Sequence, residues 1–200
     1  MGGVPRPLLH STDAMLDAAR GLLINDGARA ATVAAIAEAG GIPVGSIYHR
    51  FGSTEDLITA LWIRAVYRSQ GAFIAAIDHP DPTEAAVAAA LSILDFCREH
   101  PADARLLASY GREELLGAAP TGRLAEELAE LNRPVQRAVT GLAERLYKKR
   151  TRQAVDRTML AVFDLPYGAT KRHLVSGEEL PTRLRRDLET AIRALVGAPL

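Results

Sequence analysis

Apolar residues recur at spacings of three and four along almost the whole chain. This period places them on one face of an α-helix, whereas no stretch alternates apolar and polar residues for long enough to indicate a β-strand. Glycines, prolines and capping residues divide the pattern into about nine helical segments. The pattern therefore predicts an all-α protein.

The N-terminal part of the pattern contains two short helices joined by a tight turn. The predicted segments are a first helix at 11–26, a second from Thr32 to the glycine pair Gly40–Gly41, a third at about 43–50 and a long fourth one at 54–77. Glycine in the turn permits a positive backbone angle and a close approach of the helices. The spacing of the second and third segments predicts a helix-turn-helix.

Beyond a break at HPDPTE, the pattern predicts helices at 83–99, 102–110, 123–147, 152–165 and 181–196. Pro134 must kink or split the longest of them, because proline lacks an amide proton and clashes with the preceding turn. Pro166 and Gly168 directly follow another helical pattern. We expect the chain to leave the helix or to kink at that point.

Composition excludes several protein classes. Apolar residues make up 48%, and 24 basic residues balance 24 acidic ones, which predicts a globular protein without a general electrostatic attraction for nucleic acid. No apolar run approaches the roughly 18 residues of a transmembrane helix, and the N-terminus lacks a secretory signal. With Cys97 as the single cysteine, we expect a cytoplasmic protein that does not bind membranes. The arginine and alanine bias favours a bacterial source.

The run TVAAIAEAGGIPVGSIYHRFGSTEDL resembles the DNA-binding signature of the TetR family of bacterial transcriptional regulators. The positions that carry the resemblance are Thr32, Ile36, Ala37, Gly41, Ile42, Gly45, Ile47, Tyr48, Phe51, Ser53, Glu55 and Leu57. The resemblance is specific for residues 11–60, and beyond them it rests on helix count.

The resemblance implies an N-terminal helix-turn-helix domain at 1–53 and a C-terminal effector-binding and dimerisation domain at 54–200, entered by the long helix 54–77. It implies a repressor that binds an inverted-repeat operator as a homodimer and is released by a small-molecule effector. The residues implied to contact double-stranded DNA are Thr32, Val44, Gly45, Ser46, Tyr48, His49, Arg50 and Thr54.

Three positions depart from the family pattern. Pro43 replaces a small polar cap, although proline suits the first helical position. Val44 stands where a basic residue is usual, and it can meet a thymine methyl group. Thr54 replaces a lysine. Residues 1–66 hold five arginines against six carboxylates, which predicts a shallow salt dependence of DNA binding.

In the C-terminal part, two sequence patterns indicate candidate residues for an effector site and for a dimer interface. Polar groups near apolar helices predict an effector site at Asp95, Tyr110, Asp164 and Tyr167. The apolar faces of the last two segments predict a four-helix dimer interface made by Met159, Val162, Phe163, Leu184, Leu188, Ile192 and Leu195.

Two other functional classes compete with this interpretation. An enzyme is disfavoured because the five histidines are scattered and no metal-binding, phosphate-binding or nucleophile motif occurs, so we expect no catalysis, no metal and no cofactor. The alternative is a helical interaction protein that has lost specific DNA binding. The neutral N-terminal part and Thr54 keep that alternative open.

Overall fold

The computed structural model of the protein describes residues 11–116 and 122–200, and all regular structure in these residues is helical. The α-helices are α1 (Thr12–Asp26), α2 (Val33–Gly40), α3 (Val44–Phe51), α4 (Thr54–Ile77), α5 (Pro82–Glu99), α6 (Pro101–Ser109), α7 (Arg112–Leu116), α8 (Gly122–Glu130), α9 (Arg133–Tyr147), α10 (Arg152–Met159), α11 (Leu165–Ser176) and α12 (Leu184–Gly197). A 3₁₀ turn covers Ala28–Ala30 and a π-helical turn covers Leu160–Asp164. The predicted all-α fold is confirmed.

The tight turn between α2 and α3 depends on its two glycines. Gly41 has a φ of 59°, a left-handed conformation that glycine adopts without strain. A Cβ on Gly40 would lie 2.5 Å from Cδ1 of Ile42, so only the hydrogen of glycine leaves room for that side chain. Ile42 is buried, and the turn thus fixes α3 against α2.

Side-chain caps set where several helices begin. Thr32 Oγ1 accepts a hydrogen bond from the Ala35 amide at the start of α2. Ser53 Oγ accepts one from the Asp56 amide at the start of α4. These bonds satisfy amides that have no partner within the first helical turn. The 24 residues of α4 then extend about 36 Å and connect the helix-turn-helix to the larger bundle.

Two apolar cores share α4. The first surrounds the helix-turn-helix and includes Ile36, Ile47 and Leu61, each fully buried. The second lies in the bundle made by the C-terminal half of α4 with α5, α9 and α12. The first core also takes up Leu106 and Leu128 from helices beyond residue 54, so it is not built by α1–α3 alone.

The two prolines have different outcomes. Pro134 lies in the first turn of α9, so the predicted segment 123–147 is split into α8 and α9 as expected. At Pro166 the chain stays helical, so of the two expected outcomes, an exit from the helix or a kink, the exit does not occur. The Leu165 amide donates to the Leu160 carbonyl, and this π-helical turn leads into α11 with Pro166 in its first turn, where no amide donor is required.

Candidate nucleic-acid interface and ligand cavity

The outer face of α3 carries large side chains that the chain itself does not cover. Val44 and Tyr48 are 44% and 52% exposed, one helical turn apart. Gly45, His49 and Arg50 are also exposed, and Ser46 is half-buried. The opposite face holds Ile47 in the core. A short helix fixed on one side by a buried isoleucine presents its other side rigidly, as a helix entering a DNA groove must.

Two further predicted DNA contacts lie at helix N-termini. Thr32 is exposed and caps α2, and Thr54 is half-buried as the first residue of α4. Helix N-termini carry unpaired amides and the positive end of the helix dipole, which together favour phosphate oxygens.

Much of the positive charge near this face is neutralised internally. Arg64 pairs with the carboxylates of Asp13 and Asp17 at 2.7 and 2.6 Å. The hydrogen bond from Arg64 is also the main reason why the pKa of Asp13 is lowered. Within residues 11–66, no carboxylate pairs with Arg29 or Arg50, and Arg50 Nη1 donates to the Thr12 hydroxyl.

A cavity of about 510 Å³ lies between α4, α5, α6, α9 and α11. Its wall is mostly apolar and includes Trp62, Phe73, Phe96 and Leu107. Pockets of this size and character are typical of small-molecule sites. Cys97 also lies on the wall, and burial raises the pKa of its thiol to about 11, so this thiol is protonated near neutral pH.

Tyr110 joins the cavity to the helix-turn-helix region. Its ring lies on the cavity wall, and its hydroxyl donates to the Leu23 carbonyl of α1 at 2.7 Å. Leu23 is buried in the first core. A molecule in the cavity can therefore touch a side chain that is hydrogen-bonded directly to α1.

A buried carboxylate makes a second connection between the same elements. The side chain of Asp103 on α6 is fully buried. Its carboxylate accepts a hydrogen bond from Nη1 of Arg20 on α1 at 2.5 Å and another from Nη1 of Arg68 on α4 at 2.9 Å. Burial by itself raises the pKa of Asp103, but the hydrogen bonds from the two guanidinium groups outweigh it and hold the pKa below its ordinary value. This fork, Asp103 with Arg20 and Arg68, ties α6 to α1 and α4 at once.

Comparison with known proteins identifies the N-terminal part. Residues 15–61 match the family model described as bacterial regulatory proteins, tetR family. The chain carries the helix-turn-helix domain of the TetR family. The predicted family resemblance is thereby confirmed for the region that holds the exposed face of α3.

The TetR-like fold extends over the whole chain. A fatty acid degradation regulator, FadR from Bacillus halodurans, is 18% identical and superposes with a TM-score of 0.68, covering 92% of this chain and 98% of that one. A TetR-like regulator from Rhodococcus sp. RHA1, also 18% identical, has a TM-score of 0.68 over 98% of this chain and 97% of that one. The ketosteroid regulator KstR2 of Mycobacterium tuberculosis is 17% identical, with a TM-score of 0.64 over 98% and 96% of the two chains.

At these identities the likeness shows the fold alone. Among curated proteins no sequence match was found.

The four predicted effector residues of this TetR-like chain do not lie together. Tyr110 and Tyr167 line the cavity. Asp95 lies elsewhere, where it accepts a hydrogen bond from Arg185 at 2.6 Å, and Asp164 is exposed outside the cavity wall. Neither aspartate lies on the wall of this cavity, since a charged carboxylate is more stable in an ion pair or in water than against an apolar wall.

The seven residues predicted for the dimer interface also separate. Val162, Leu188 and Ile192 are buried in the second core, which leaves them almost no surface for contact with a second chain. Leu184 and Leu195 are half-buried against the same core. Met159 and Phe163 lie on the cavity wall.

Sequence reasoning missed the polar part of the cavity wall. Gln70 lies on α4 at a buried position, between Val66 and Phe73 in the apolar stripe. Its position was the available signal, since a glutamine in the apolar stripe of a helix needs a polar partner there.

Within 11–116 and 122–200, no group of histidine, cysteine and carboxylate side chains is arranged to hold a metal ion. No helix in the same ranges is long and apolar enough to cross a bilayer.

Proposed function

We propose that this protein is a ligand-responsive transcriptional repressor, which binds an inverted-repeat operator as a homodimer and releases it when a small molecule enters the cavity. The observation that carries the proposal is Tyr110, which lies on the cavity wall and donates a hydrogen bond to α1. The family model supports the DNA-binding half of the proposal.

The proposal divides the chain into two functional parts. Residues 1–53 form the helix-turn-helix domain, and residues 54–200 form the effector-binding and dimerisation domain, with 54–77 as the connecting helix. Residues 1–10 lie outside the described ranges. The exposed face of α3 and the cavity lie on opposite sides of this division, which supports it.

In the proposed complex, α3 enters the major groove. Val44 contacts a thymine methyl group, while Gly45 and Ser46 allow close approach to the groove floor. Tyr48, His49 and Arg50 contact bases and phosphates from the exposed face of the same helix.

Two helix N-termini complete the proposed DNA contacts. Thr32 at the start of α2 and Thr54 at the start of α4 bind phosphate oxygens with their hydroxyls and the neighbouring amides. Contacts of this kind set the position of α3 on the duplex rather than its sequence preference.

The effector acts through α6. A ligand that displaces α6 weakens the Tyr110 bond to Leu23 and the ion pairs of Asp103 together, so α1 and α4 change position relative to the bundle. Half-sites of a dimer must be about 34 Å apart, and a small rotation of each α3 therefore spoils both contacts.

We place the dimer contact on the outer surface of the last helices. Leu160 and Val175 are 46% and 49% exposed, and the half-buried Leu184 and Leu195 have remaining surface. Exposed apolar side chains of this kind support a contact with a second copy of the chain. In this proposal these four residues take the place of Val162, Leu188 and Ile192, which are buried in the second core.

The test is selection of sequences from a pool of random DNA duplexes with the full-length protein. We expect an enriched inverted repeat, and Tyr48→Ala should lower affinity for it about 10-fold, the effect of losing one central contact. The matched control is Tyr67→Ala, which removes another exposed tyrosine, on α4 and outside the helix-turn-helix. It should leave the affinity unchanged.

Failure of the selection would favour the alternative. Weak binding without sequence preference, from folded protein at both low and high salt, would indicate a helical interaction protein that has lost specific DNA binding.

A further inference from the structure

The cavity wall carries almost no charge. Of the side chains that line it, Arg112 is the one that is permanently charged, and it is exposed at the rim. A cation inside the cavity would lose its water without gaining a counter-ion from the described wall, and an anion would find one only at Arg112, whose guanidinium is exposed to solvent.

Most polar groups on the wall are already satisfied within the chain. Ser69 donates to the Val66 carbonyl, Thr170 donates to the Pro166 carbonyl, and Tyr110 donates to Leu23. Because these hydroxyl groups already donate to backbone carbonyls, they have no free donor for a ligand. The wall therefore selects mainly by shape and apolar contact.

Gln70 is different, because half of its amide has no partner. Its side chain is more than nine-tenths buried, and Nε2 donates to the Leu131 carbonyl at 3.1 Å and to Asn132 Oδ1 at 3.2 Å. The Leu131 carbonyl can only accept, which fixes the orientation of the amide with Nε2 on that side. Oε1 then points away from both groups, and it is buried without a hydrogen bond.

A buried acceptor without a partner is costly, and native structures contain few of them. Gln70 lies on the cavity wall, beside the exposed amides of Asn132 and Gln136 at one end of the cavity. A small turn of the Gln70 side chain would bring Oε1, which has no exposed surface, to the cavity, where a ligand that donates a proton toward this end would satisfy it.

The size of the cavity bounds the ligand. At about 30 Å³ for each water in the liquid, a volume of 510 Å³ corresponds to about 17 water molecules. A molecule with roughly 12–20 non-hydrogen atoms matches this space.

We propose that the effector is an uncharged, mainly apolar molecule of this size that carries one hydroxyl or N–H donor, and that this donor binds Gln70 Oε1. The regulatory role of this ligand rests on the proposed function, whereas the binding preference follows from the cavity wall alone. Away from the exposed Arg112, the described wall offers the carboxylate of a free fatty acid no counter-charge.

Three probes with the same alkyl chain test the proposal: 1-dodecanol, methyl dodecanoate and dodecanoate, each titrated below its micellar concentration into full-length protein without DNA. We expect the alcohol to bind at least about 10-fold more tightly than the anion, because the carboxylate must leave water and the one cation among the described wall residues, Arg112, is exposed at the rim. It should bind about 5-fold more tightly than the ester, because the ester has no donor for Gln70. Binding of the anion equal to that of the alcohol would overturn the proposal, as would no binding of either uncharged probe.

Two substitutions assign the preference to Gln70. Gln70→Met keeps the length of the side chain and removes its oxygen, so the alcohol should lose its advantage over the ester while ester binding is retained. Gln136→Met makes the same change at an exposed position on the rim and should keep the advantage. A Gln70→Met protein that still prefers the alcohol to the same degree would contradict the assigned contact.

The same titrations separate this inference from the proposed function. If the alcohol binds with the expected preference but does not release DNA, the ligand class stands and the regulatory role fails. If a charged molecule both binds in the cavity and releases DNA, the regulatory role stands and the ligand class fails.

Discussion

The packing around the helix-turn-helix differs from the packing around the cavity, although α4 runs through both. Around α2 and α3 the core is filled, and Ile36, Ile47 and Leu61 have no exposed surface. Along the next turns of α4, the side chains of Trp62, Val66 and Phe73 border a space of about 510 Å³. The filled core around the helix-turn-helix holds α3 in a fixed position. The side chains around the cavity lack apolar contacts that a ligand can supply.

The largest expected effect comes from making the same truncation in both regions. Leu61→Ala should lower the free energy of unfolding by about 3–4 kcal/mol, because it opens a new cavity in a filled core. Leu107→Ala should cost only about 1–2 kcal/mol, because Leu107 is half-buried and already borders a cavity. Urea denaturation of both variants measures the difference, and equal losses would contradict the contrast in packing.

The second prediction concerns the fork that joins the two regions. Asp103→Asn removes a buried charge shared by Arg20 and Arg68, so we expect a loss of about 3 kcal/mol in the free energy of unfolding near neutral pH. The control is Glu84→Gln, which removes a half-buried ion pair with Arg193 that remains open to solvent, and it should have a much smaller effect.

The fork also predicts a pH dependence. The pKa of Asp103 is lowered in the folded protein, so its contribution is complete above the ordinary pKa of about 4 and is lost as the pH falls through the lowered value. Asp103→Asn should therefore lose less stability than the native chain between about pH 5 and pH 2. Identical acid unfolding profiles would show that the fork does not contribute.

A smaller effect is expected for the hydroxyl that connects the cavity to α1. Tyr110→Phe should cost about 1 kcal/mol of stability and should reduce the effect of a cavity ligand on DNA affinity by about 5-fold. Tyr147→Phe is the matched control, because the Tyr147 hydroxyl is buried without a hydrogen bond and its removal should be nearly neutral. Equal coupling in Tyr110→Phe and in the native chain would exclude this route.

The smallest expected effect is on the salt dependence of DNA binding. Arg50→Ala should reduce the slope of log affinity against log salt by about one for each half-site, if its charge lies against a phosphate. Arg133→Ala removes another exposed arginine, on α9 and paired with Glu130, and should leave the slope unchanged. A smaller slope for Arg133→Ala than for the native chain would indicate DNA contacts outside the helix-turn-helix.

The sequence predicted the filled region well. The helix caps and glycines around 11–57 are local signals, so the bounds of α1 and α4 at Thr12–Asp26 and Thr54–Ile77 agree with the pattern. The residue types and spacing of the helix-turn-helix are determined by contacts between residues that are close in sequence. Such contacts can be recognised without knowing the rest of the fold.

The cavity could be predicted only in part, because helical period does not tell a side chain that faces a hollow from one that faces another helix. Tyr110 and Tyr167 were expected near a pocket and lie on its wall. Asp95 could not be placed, since its partner Arg185 is ninety positions away. Gln70 was missed for the same reason: its partners Leu131 and Asn132 lie on a distant turn of the chain.

The first core has a consequence for any attempt to isolate the N-terminal part of the chain. Leu106, Leu128 and Leu131 complete the packing around α1 and α4, and Asp103 supplies the counter-charge of Arg20. A fragment that ended at residue 53 would expose the core and leave that arginine without its buried partner. We therefore expect the part that resembles an independent module in sequence to need the packing of the bundle in order to fold.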